Sequence, residues 1–259
     1  MPSAYFVSDI HITAADSPRG RLFLEFLRGL SAEAGASHLV LLGDIFDLWV
    51  ADHDYFVDAY GEIIEEIRRL KAEGVEIRYF EGNHDLHLKY YWADKLGLVV
   101  HPGPAYVEIG DTTVRMEHGD QMDPEDKGYL FLRWFLRTPP IRWLVCHLPG
   151  SVVASIGDRA SAKSRDYTSN TKSISADDAV QKIRVHAEKA YAERPFDLLI
   201  SGHVHVRDDW QAADFRSVNL GSWFDAPCYF KIDADGARFC ELSLNDEESE
   251  MAETATVAG

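Results

Sequence analysis

Residues 38–49 read HLVLLGDIFDLW, and this stretch gives the clearest indication of the fold. Its first five residues form a mostly apolar run of strand length, which stops at Gly43 and Asp44. A short apolar run that ends in a polar turn is typical of a buried strand in an α/β protein. The stretch therefore predicts an aspartate at the carboxyl end of a buried strand.

Five other stretches of the chain have the same pattern, in which a short polar turn directly follows an apolar run. The runs are residues 4–7, 75–80, 113–116, 196–200 and 215–218. Apolar residues with helical spacing occur between some of them, at Leu22 to Leu30 and again at Phe56 to Leu70, where Gly74 ends the pattern. Alternating strands and helices predict an α/β fold.

Length and composition predict one large globular domain. The chain has 259 residues, of which 46% are hydrophobic and 27% are charged. We expect a single domain at residues 1–245, followed by a disordered acidic tail at 246–259. The net charge of −17 disfavours a nucleic-acid partner, because phosphate affinity depends on clustered Lys and Arg.

The compartment is predicted from the cysteines and the N-terminus. Cys146, Cys228 and Cys240 are widely spaced, so a disulfide framework is not expected and a reducing compartment fits best. The N-terminal residues have no signal-peptide pattern, and no run of about 18 apolar residues occurs anywhere. The sequence therefore predicts a cytoplasmic protein that does not span the membrane.

Residues 127–172 interrupt the α/β pattern with a basic, aromatic segment. This segment has eight Lys and Arg residues against two Asp residues, although the whole chain is acidic. Its aromatic residues are Tyr129, Phe131, Trp134, Phe135 and Trp143. Such a composition fits either an amphipathic helix on an anionic membrane or a helical cap that packs on the core. The sequence leaves both possibilities open.

Seven polar residues at the predicted strand ends form a candidate metal site. They are Asp9, His11, Asp44, Asn83, His118, His203 and His205. Singly, each has a structural explanation as a turn or core residue, but so many in five separate turns favour one shared site. Loops at the carboxyl ends of strands converge in open α/β sheets, and oxygen and imidazole donors suit Mn, Fe or Zn. Asp44 is the candidate carboxylate bridge between two metals.

Five motifs carry a resemblance to a known family. They are Asp9-x-His11, Gly43-Asp44-x-x-Asp47, Gly82-Asn83-His84-Asp85, His118-Gly119-Asp120 and Gly202-His203-x-His205. In this order and spacing, residues 5–206 resemble the calcineurin-like metallophosphoesterases. The resemblance implies a four-layer αββα sandwich, with a helical insert at about residues 123–180 between the fourth and fifth motifs.

The resemblance also implies a dinuclear metal centre. One metal is expected on Asp9, His11, Asp44 and His205, and the other on Asp44, Asn83, His118 and His203. The expected cofactor is two divalent ions, for which we favour Mn²⁺, although Fe, Co and Zn suit the same donors.

The implied reaction is in-line attack of water on phosphorus without a covalent enzyme intermediate. Asp44 and His84 are the expected catalytic residues. His84 is expected to stabilise charge or to protonate the leaving oxygen. Asp47 is expected to orient another residue or to shape the turn.

Finer features resemble one group within this family, the UDP-2,3-diacylglucosamine hydrolases of lipid A synthesis. They are the residues 43–49, His118-Gly119-Asp120 followed by Asp126, Gly128, Tyr129 and Arg133, Thr171-Lys172-Ser173, and Leu220-Gly221-Ser222-Trp223. The implied reaction cleaves the pyrophosphate of UDP-2,3-diacylglucosamine to UMP and 2,3-diacylglucosamine 1-phosphate. His84 and residues 164–169 depart from the pattern of this group.

This finer resemblance implies further residues and a location. The substrate-binding residues would be Asn83, His84, Asp126, Tyr129, Lys172 and His203. The 127–172 insert would form an acyl-chain groove and contact the anionic inner membrane, so that the protein lies on its cytoplasmic face.

Two alternatives are also considered. A phosphoesterase for another target, such as a nucleotide, phosphodiester or phosphoprotein, leaves Trp134, Phe135 and Trp143 unexplained. A non-catalytic scaffold with this fold is disfavoured because all seven metal donors and His84 are present.

Overall fold

The computed structural model describes residues 3–157, 159, 175–224 and 226–243. A six-stranded sheet has the order β13-β12-β1-β2-β4-β6, and a five-stranded sheet has the order β10-β11-β9-β8-β7. The strands of the first sheet are β1 (Ser3–Val7), β2 (Ala36–Leu41), β4 (Glu76–Phe80), β6 (Val99–His101), β12 (Cys228–Asp233) and β13 (Gly236–Glu241). Those of the second are β7 (Ala105–Ile109), β8 (Thr112–Met116), β9 (Leu198–Ser201), β10 (Arg207–Gln211) and β11 (Arg216–Leu220). A small parallel pair joins β3 (Trp49–Val50) to β5 (Asp85–Leu86).

The side chains of β1 alternate between two hydrophobic cores. Ala4 and Phe6 of β1 enter the core between the two sheets, whereas Tyr5 and Val7 enter the core under the outer helices of the first sheet. This strand is therefore buried on both faces, and its sequence is a continuous apolar run. The predicted four-layer αββα sandwich is confirmed.

Helices cover the outer face of each sheet. Three of them lie in the first half of the chain: α1 (Pro18–Gly29), α2 (Asp54–Ala59) and α3 (Gly61–Ala72). Ser17 caps α1, because its side chain accepts a hydrogen bond from the backbone nitrogen of Gly20 at 3.2 Å. The outer core of the second sheet includes Ala187, Ala190 and Phe215.

The expected single helix over Phe56 to Leu70 is divided into α2 and α3. Tyr60, which lies between them, has φ −117° and ψ 20°, outside the helical region. Its hydroxyl donates a hydrogen bond to the carbonyl of Ile12 at 3.1 Å. The break therefore brings the ring of Tyr60 against Phe46, with ring centres 4.2 Å apart. As predicted from Gly74, α3 ends at that turn, and Gly74 has φ +96°.

The described part of the insert is helical. It comprises α4 (Lys127–Leu136), α5 (Pro139–His147), helical residues 150–157 and the start of α6 (Ala176–Glu193). Phe131, Trp134 and Trp143 are more than half exposed, at 63%, 61% and 62%. No helix in the described part of the chain combines the length and apolar character that a membrane span requires.

Helix α4 is held on the domain by polar contacts along its inner face. The hydroxyl of Tyr129 and Nε of Arg133 each donate to Oδ2 of Asp120 at 2.6 Å. One turn later, Nη2 of Arg137 lies 3.2 Å from Oε2 of Glu81. Asp120 and Glu81 adjoin two of the strand-end motifs, so α4 is fixed to two loops of the candidate site.

Several sequence predictions fall outside the described residues. They concern Lys172, residues 164–169 and the tail at 246–259. The single-domain boundary at residue 245 likewise stays a prediction.

We expect Arg133→Met to lower the free energy of unfolding by about 3 kcal/mol, because it leaves the buried carboxylate of Asp120 without its ion-pair partner. Urea denaturation measures this change. The matched control is Arg142→Met on α5, where the exposed arginine should change stability by less than about 0.5 kcal/mol. Equal stability of the Arg133 variant and the wild type would contradict a stabilising role for this contact.

Candidate metal centre

All seven predicted donors lie in loops at the carboxyl ends of five strands. These strands belong to both sheets, so the site lies at one end of the sandwich. Asp9 and His11 follow β1, and Asp44 follows β2. The remaining donors follow β4, β8 and β9: they are Asn83, His118, His203 and His205.

One group of donors is formed by Asp9, His11 and His205, whose potential ligand atoms lie within 4.8 Å of one another. The Nε2 atoms of His11 and His205 are 3.3 Å apart. Nε2 of His205 also lies 3.3 Å from Oδ1 of Asp9. Three donors from two loops thus surround a space of suitable size for a cation.

A second group is formed by Asp44, His118 and His203, again with all ligand atoms within 4.8 Å. Nε2 of His118 lies 3.5 Å from Oδ2 of Asp44 and 3.2 Å from Oδ1 of Asn83. The same Oδ2 of Asp44 is 3.9 Å from Nε2 of His11 in the first group. Asp44 therefore lies between the two groups, at the position that a bridging carboxylate requires.

The backbone at the site is unusual. Asp9, His11, Asp44, His203 and His205 all have φ between 52° and 71°, in the left-handed region that non-glycine residues seldom adopt. Hydrogen bonds between the loops hold this conformation. The backbone nitrogens of Ile10 and His11 both donate to the carbonyl of Asp44 at 3.0 Å. Strained backbone of this kind clusters at functional sites, where the surrounding structure maintains it.

Two motif glycines allow loops to approach the carboxylates closely. A Cβ atom on Gly82 would lie 2.1 Å from Oδ1 of Asp44, and one on Gly202 would lie 2.3 Å from Oδ2 of Asp9. No side chain fits at such distances. In the space left by Gly202, the backbone nitrogen of His203 donates to Oδ2 of Asp9 at 2.8 Å. The glycines therefore position the donors although they bind nothing themselves.

The two carboxylates are fully buried. Burial opposes ionisation of Asp44, but the nearby imidazoles of His118, His84 and His11 hold its pKa well below the usual range. Burial likewise opposes ionisation of Asp9, while His205 and His118 lower its pKa. Both groups are therefore negatively charged at neutral pH.

The pKa values of two histidines at the site shift in opposite directions. Although burial disfavours its charged form, Asp44 and Asp9 raise the pKa of His118 to about 9. Burial and the charge of His118 lower the pKa of His203 to about 4. The His118 imidazolium thus compensates part of the negative charge and would lose its Nε2 proton on binding a metal, whereas the neutral ring of His203 retains a lone pair.

A buried carboxylate oxygen that accepts no hydrogen bond from the described residues supports binding of a cation. Oδ1 of Asp9 is buried and accepts no hydrogen bond from any of the described residues. A buried, charged oxygen without a donor is costly unless a cation binds it. Together with the oxygen and imidazole donors around it, this atom fits a divalent transition metal.

His84 lies beside both groups. Its Nδ1 donates to the carbonyl of Asp47 at 2.6 Å, because a carbonyl oxygen can only accept, and its backbone nitrogen donates to Oδ1 of Asp44 at 2.9 Å. This contact leaves Nε2 of the ring available for another partner. His84 also forms a potential ligand group with His11 and Asp44, which the sequence analysis did not include.

Two supporting residues were not predicted from the sequence. Oδ2 of Asp85 accepts hydrogen bonds from the backbone nitrogen of Ile45 at 3.0 Å and the hydroxyl of Tyr79 at 2.9 Å. Burial raises the pKa of Asp85 to about 7. Nδ2 of Asn219 donates to the carbonyl of Gly202 at 2.7 Å. Asp85 belongs to a strand-end motif and Asn219 directly follows the apolar run 215–218, and these positions were the available signal.

The predicted substrate-binding residues on the insert occupy different positions. The ring of Tyr129 lies 6.0 Å from that of His203, so Tyr129 adjoins the metal donors. Asp126 is the N-cap of α4, where Oδ1 accepts from the backbone nitrogen of Tyr129 at 3.1 Å.

Comparisons with known proteins agree with the family resemblance. Residues 3–207 match the family of calcineurin-like phosphoesterases. A UDP-2,3-diacylglucosamine hydrolase of Neisseria gonorrhoeae is 28% identical over 241 residues, which cover 92% of this chain and 98% of that protein.

A second hydrolase of that name, from Pseudomonas aeruginosa, is 29% identical over 249 residues, which cover 93% of this chain and 100% of that protein. A solved archaeal phosphodiesterase is 14% identical, with a TM-score of 0.48 over 93% of this chain and 99% of that chain. On the match over residues 3–207, the chain belongs to the calcineurin-like phosphoesterase family and is a metal-dependent hydrolase.

Proposed function

We propose that this protein hydrolyses the pyrophosphate bond of UDP-2,3-diacylglucosamine to UMP and 2,3-diacylglucosamine 1-phosphate. The observation that carries the proposal is the exposed aromatic face of α4, whose opposite face is held on the loops of the metal donors. The near full-length match to proteins named for this activity supports it.

In this proposal, two divalent ions, Mn²⁺ by preference, occupy the two donor groups. Asp9, His11, Asp44 and His205 hold one ion, and Asp44, Asn83, His118 and His203 hold the other. When bound, the ions supply a nucleophilic water and neutralise charge on the phosphoryl oxygens. The chain itself contributes a rigid donor set, because the interloop hydrogen bonds fix the ligands before substrate arrives.

His84 is the proposed proton donor or charge stabiliser at the leaving oxygen. The carbonyl of Asp47 fixes the ring through Nδ1, which leaves Nε2 for the substrate. His84 is only partly buried, so its ring can be reached from the crevice. Asp44 and His84 are thus the proposed catalytic pair.

The insert is the proposed lipid-binding element. Tyr129 lies beside His203, and the exposed side chains of Phe131, Trp134 and Phe135 lie on the same helix. Apolar side chains of this size gain about 1.5–3 kcal/mol each when acyl chains cover them. Asn83, His84, Asp126, Tyr129, Lys172 and His203 are the proposed polar contacts with the sugar and phosphates.

The proposed location is the cytoplasmic face of the inner membrane, with peripheral contact through the 127–172 insert. Trp143 and Leu144 of α5 are exposed beside Arg142. Exposed aromatic residues next to cations favour the interface of an anionic bilayer.

The direct test is release of UMP from UDP-2,3-diacylglucosamine in detergent micelles, with Mn²⁺ added or removed by EDTA. We expect rapid UMP release that depends on the metal, and slower cleavage of bis-p-nitrophenyl phosphate. Cleavage of the small ester without the lipid would assign the protein another phosphoester substrate. Inactivity on both would favour a scaffold.

Asp44→Asn tests the bridging position. We expect kcat to fall by at least about 100-fold, because one neutral amide replaces the charge shared by both donor groups. Calorimetric titration with Mn²⁺ should also detect weaker metal binding. Asp52→Asn, which removes a partly exposed carboxylate paired with Lys95, is the control. Normal metal stoichiometry and turnover in Asp44→Asn would remove the dinuclear assignment.

A double variant, Trp134→Ser with Phe135→Ser, tests the acyl-binding role of α4. We expect KM for the diacylated substrate to rise about tenfold or more, since two apolar contacts are lost. KM for bis-p-nitrophenyl phosphate should stay within about twofold. Val185→Ser, at an exposed apolar residue of α6, is the control. Equal effects on both substrates would argue against an acyl groove.

A further inference from the structure

A cationic and aromatic pair adjoins the metal centre. Cζ of Arg19, the second residue of α1, lies 4.0 Å from the ring centre of Phe224. That ring centre is 5.4 Å from the ring of His11 and 6.0 Å from the ring of His205. Arg19 is therefore one aromatic ring away from the Asp9, His11 and His205 group.

The N–H groups of the Arg19 guanidinium can donate hydrogen bonds to a ligand. Across the described ranges 3–157, 159, 175–224 and 226–243, no oxygen accepts a hydrogen bond from it, and no carboxylate lies at ion-pair distance. Stacking on Phe224 fixes the plane of the group, which lowers the entropy lost on binding. A planar guanidinium with unused N–H groups is suited to a phosphate.

Two other basic residues near the centre differ from Arg19 in this respect. Arg133 is bonded to Asp120, and Arg137 is paired with Glu81. For Arg19, the charged group that acts on the guanidinium among the described residues is Asp47, which forms no ion pair with it. Of these three arginines, Arg19 is the one that is not already paired with a carboxylate.

The centre has two chemically different ends. At one end, Tyr129 lies against His203, and α4 continues into exposed aromatic side chains. At the other end, Phe224 lies against His11 and His205, and Arg19 lies against the ring of Phe224. A substrate with an apolar diacyl end and an anionic nucleotide end matches this asymmetry in one orientation.

We propose that Arg19, positioned on Phe224, binds the phosphate of the nucleoside monophosphate half of the substrate, so that this half occupies the end formed by His11 and His205. The assignment rests on the proposed function for the identity of the nucleotide. Arg19 is in this view a substrate-binding residue that sets the orientation of the pyrophosphate between the two donor groups.

The test is calorimetric titration of UMP into the Mn²⁺-loaded protein, in the wild type, Arg19→Met and Arg21→Met. Methionine keeps the length of the side chain and removes its charge and donors. Arg21 is the matched control, because it lies on the same helix and its guanidinium donates to the carbonyl of Asp16. We expect about tenfold weaker binding for Arg19→Met and a change below about twofold for Arg21→Met.

Three results would overturn the assignment. They are absence of UMP binding by the wild type, unchanged UMP affinity in Arg19→Met, and an equal loss in Arg21→Met.

Kinetics separate this inference from the proposed function. Arg19→Met should raise KM for UDP-2,3-diacylglucosamine about tenfold and change KM for bis-p-nitrophenyl phosphate less than about twofold. If the wild type does not cleave the lipid but Arg19→Met weakens UMP binding, the nucleotide site is supported and the proposed substrate is rejected. If the wild type cleaves the lipid and Arg19→Met binds UMP normally, the proposed substrate is supported and the nucleotide site at Arg19 is rejected.

Discussion

The burial of two negative charges in one crevice is the constraint around which this protein is arranged. Asp9 and Asp44 are 0% and 1% exposed, in the loops that follow the neighbouring strands β1 and β2 of the six-stranded sheet. Like charges at low dielectric are tolerated only beside compensating cations or donors. His118 and backbone N–H groups supply part of this compensation, and Oδ1 of Asp9 is left for a metal. The convergence of five strand ends, the glycines and the histidines all serve this arrangement.

The sequence predicted the parts of the fold that follow from apolar periodicity. Strand β1 and the C-terminal ends of β2 and β4 are apolar because both of their faces are buried. The hairpin of β12 and β13 was missed, since Lys231 and Arg238 interrupt its apolar pattern, and β3 and β5 have only two residues each. The break at Tyr60 was also missed, because a hydrogen bond to a distant carbonyl causes it and helical spacing continues through it.

The residues of the site also differ in whether their role could be predicted from neighbours in the sequence or only from contacts in the fold. Each of the seven donors directly follows an apolar run, so its location was predictable from neighbours in the chain. Asp85 and Asn219 act through hydrogen bonds inside the core, and no local pattern distinguishes such residues from turn formers. Arg19 reaches the site through Phe224, from the opposite end of the chain, and only the folded structure brings them together.

The left-handed backbone also limits which amino acids can serve as donors. Among residues with side chains, Asn, Asp and His are the ones most often found at positive φ, whereas β-branched residues are strongly disfavoured there. Five of the seven donors have φ of 52° to 71°, and all five are Asp or His. The coordination chemistry of the protein is thus restricted by its main chain as well as by the preferences of the ion. A threonine at these five positions would meet a steric barrier before any question of metal affinity arose.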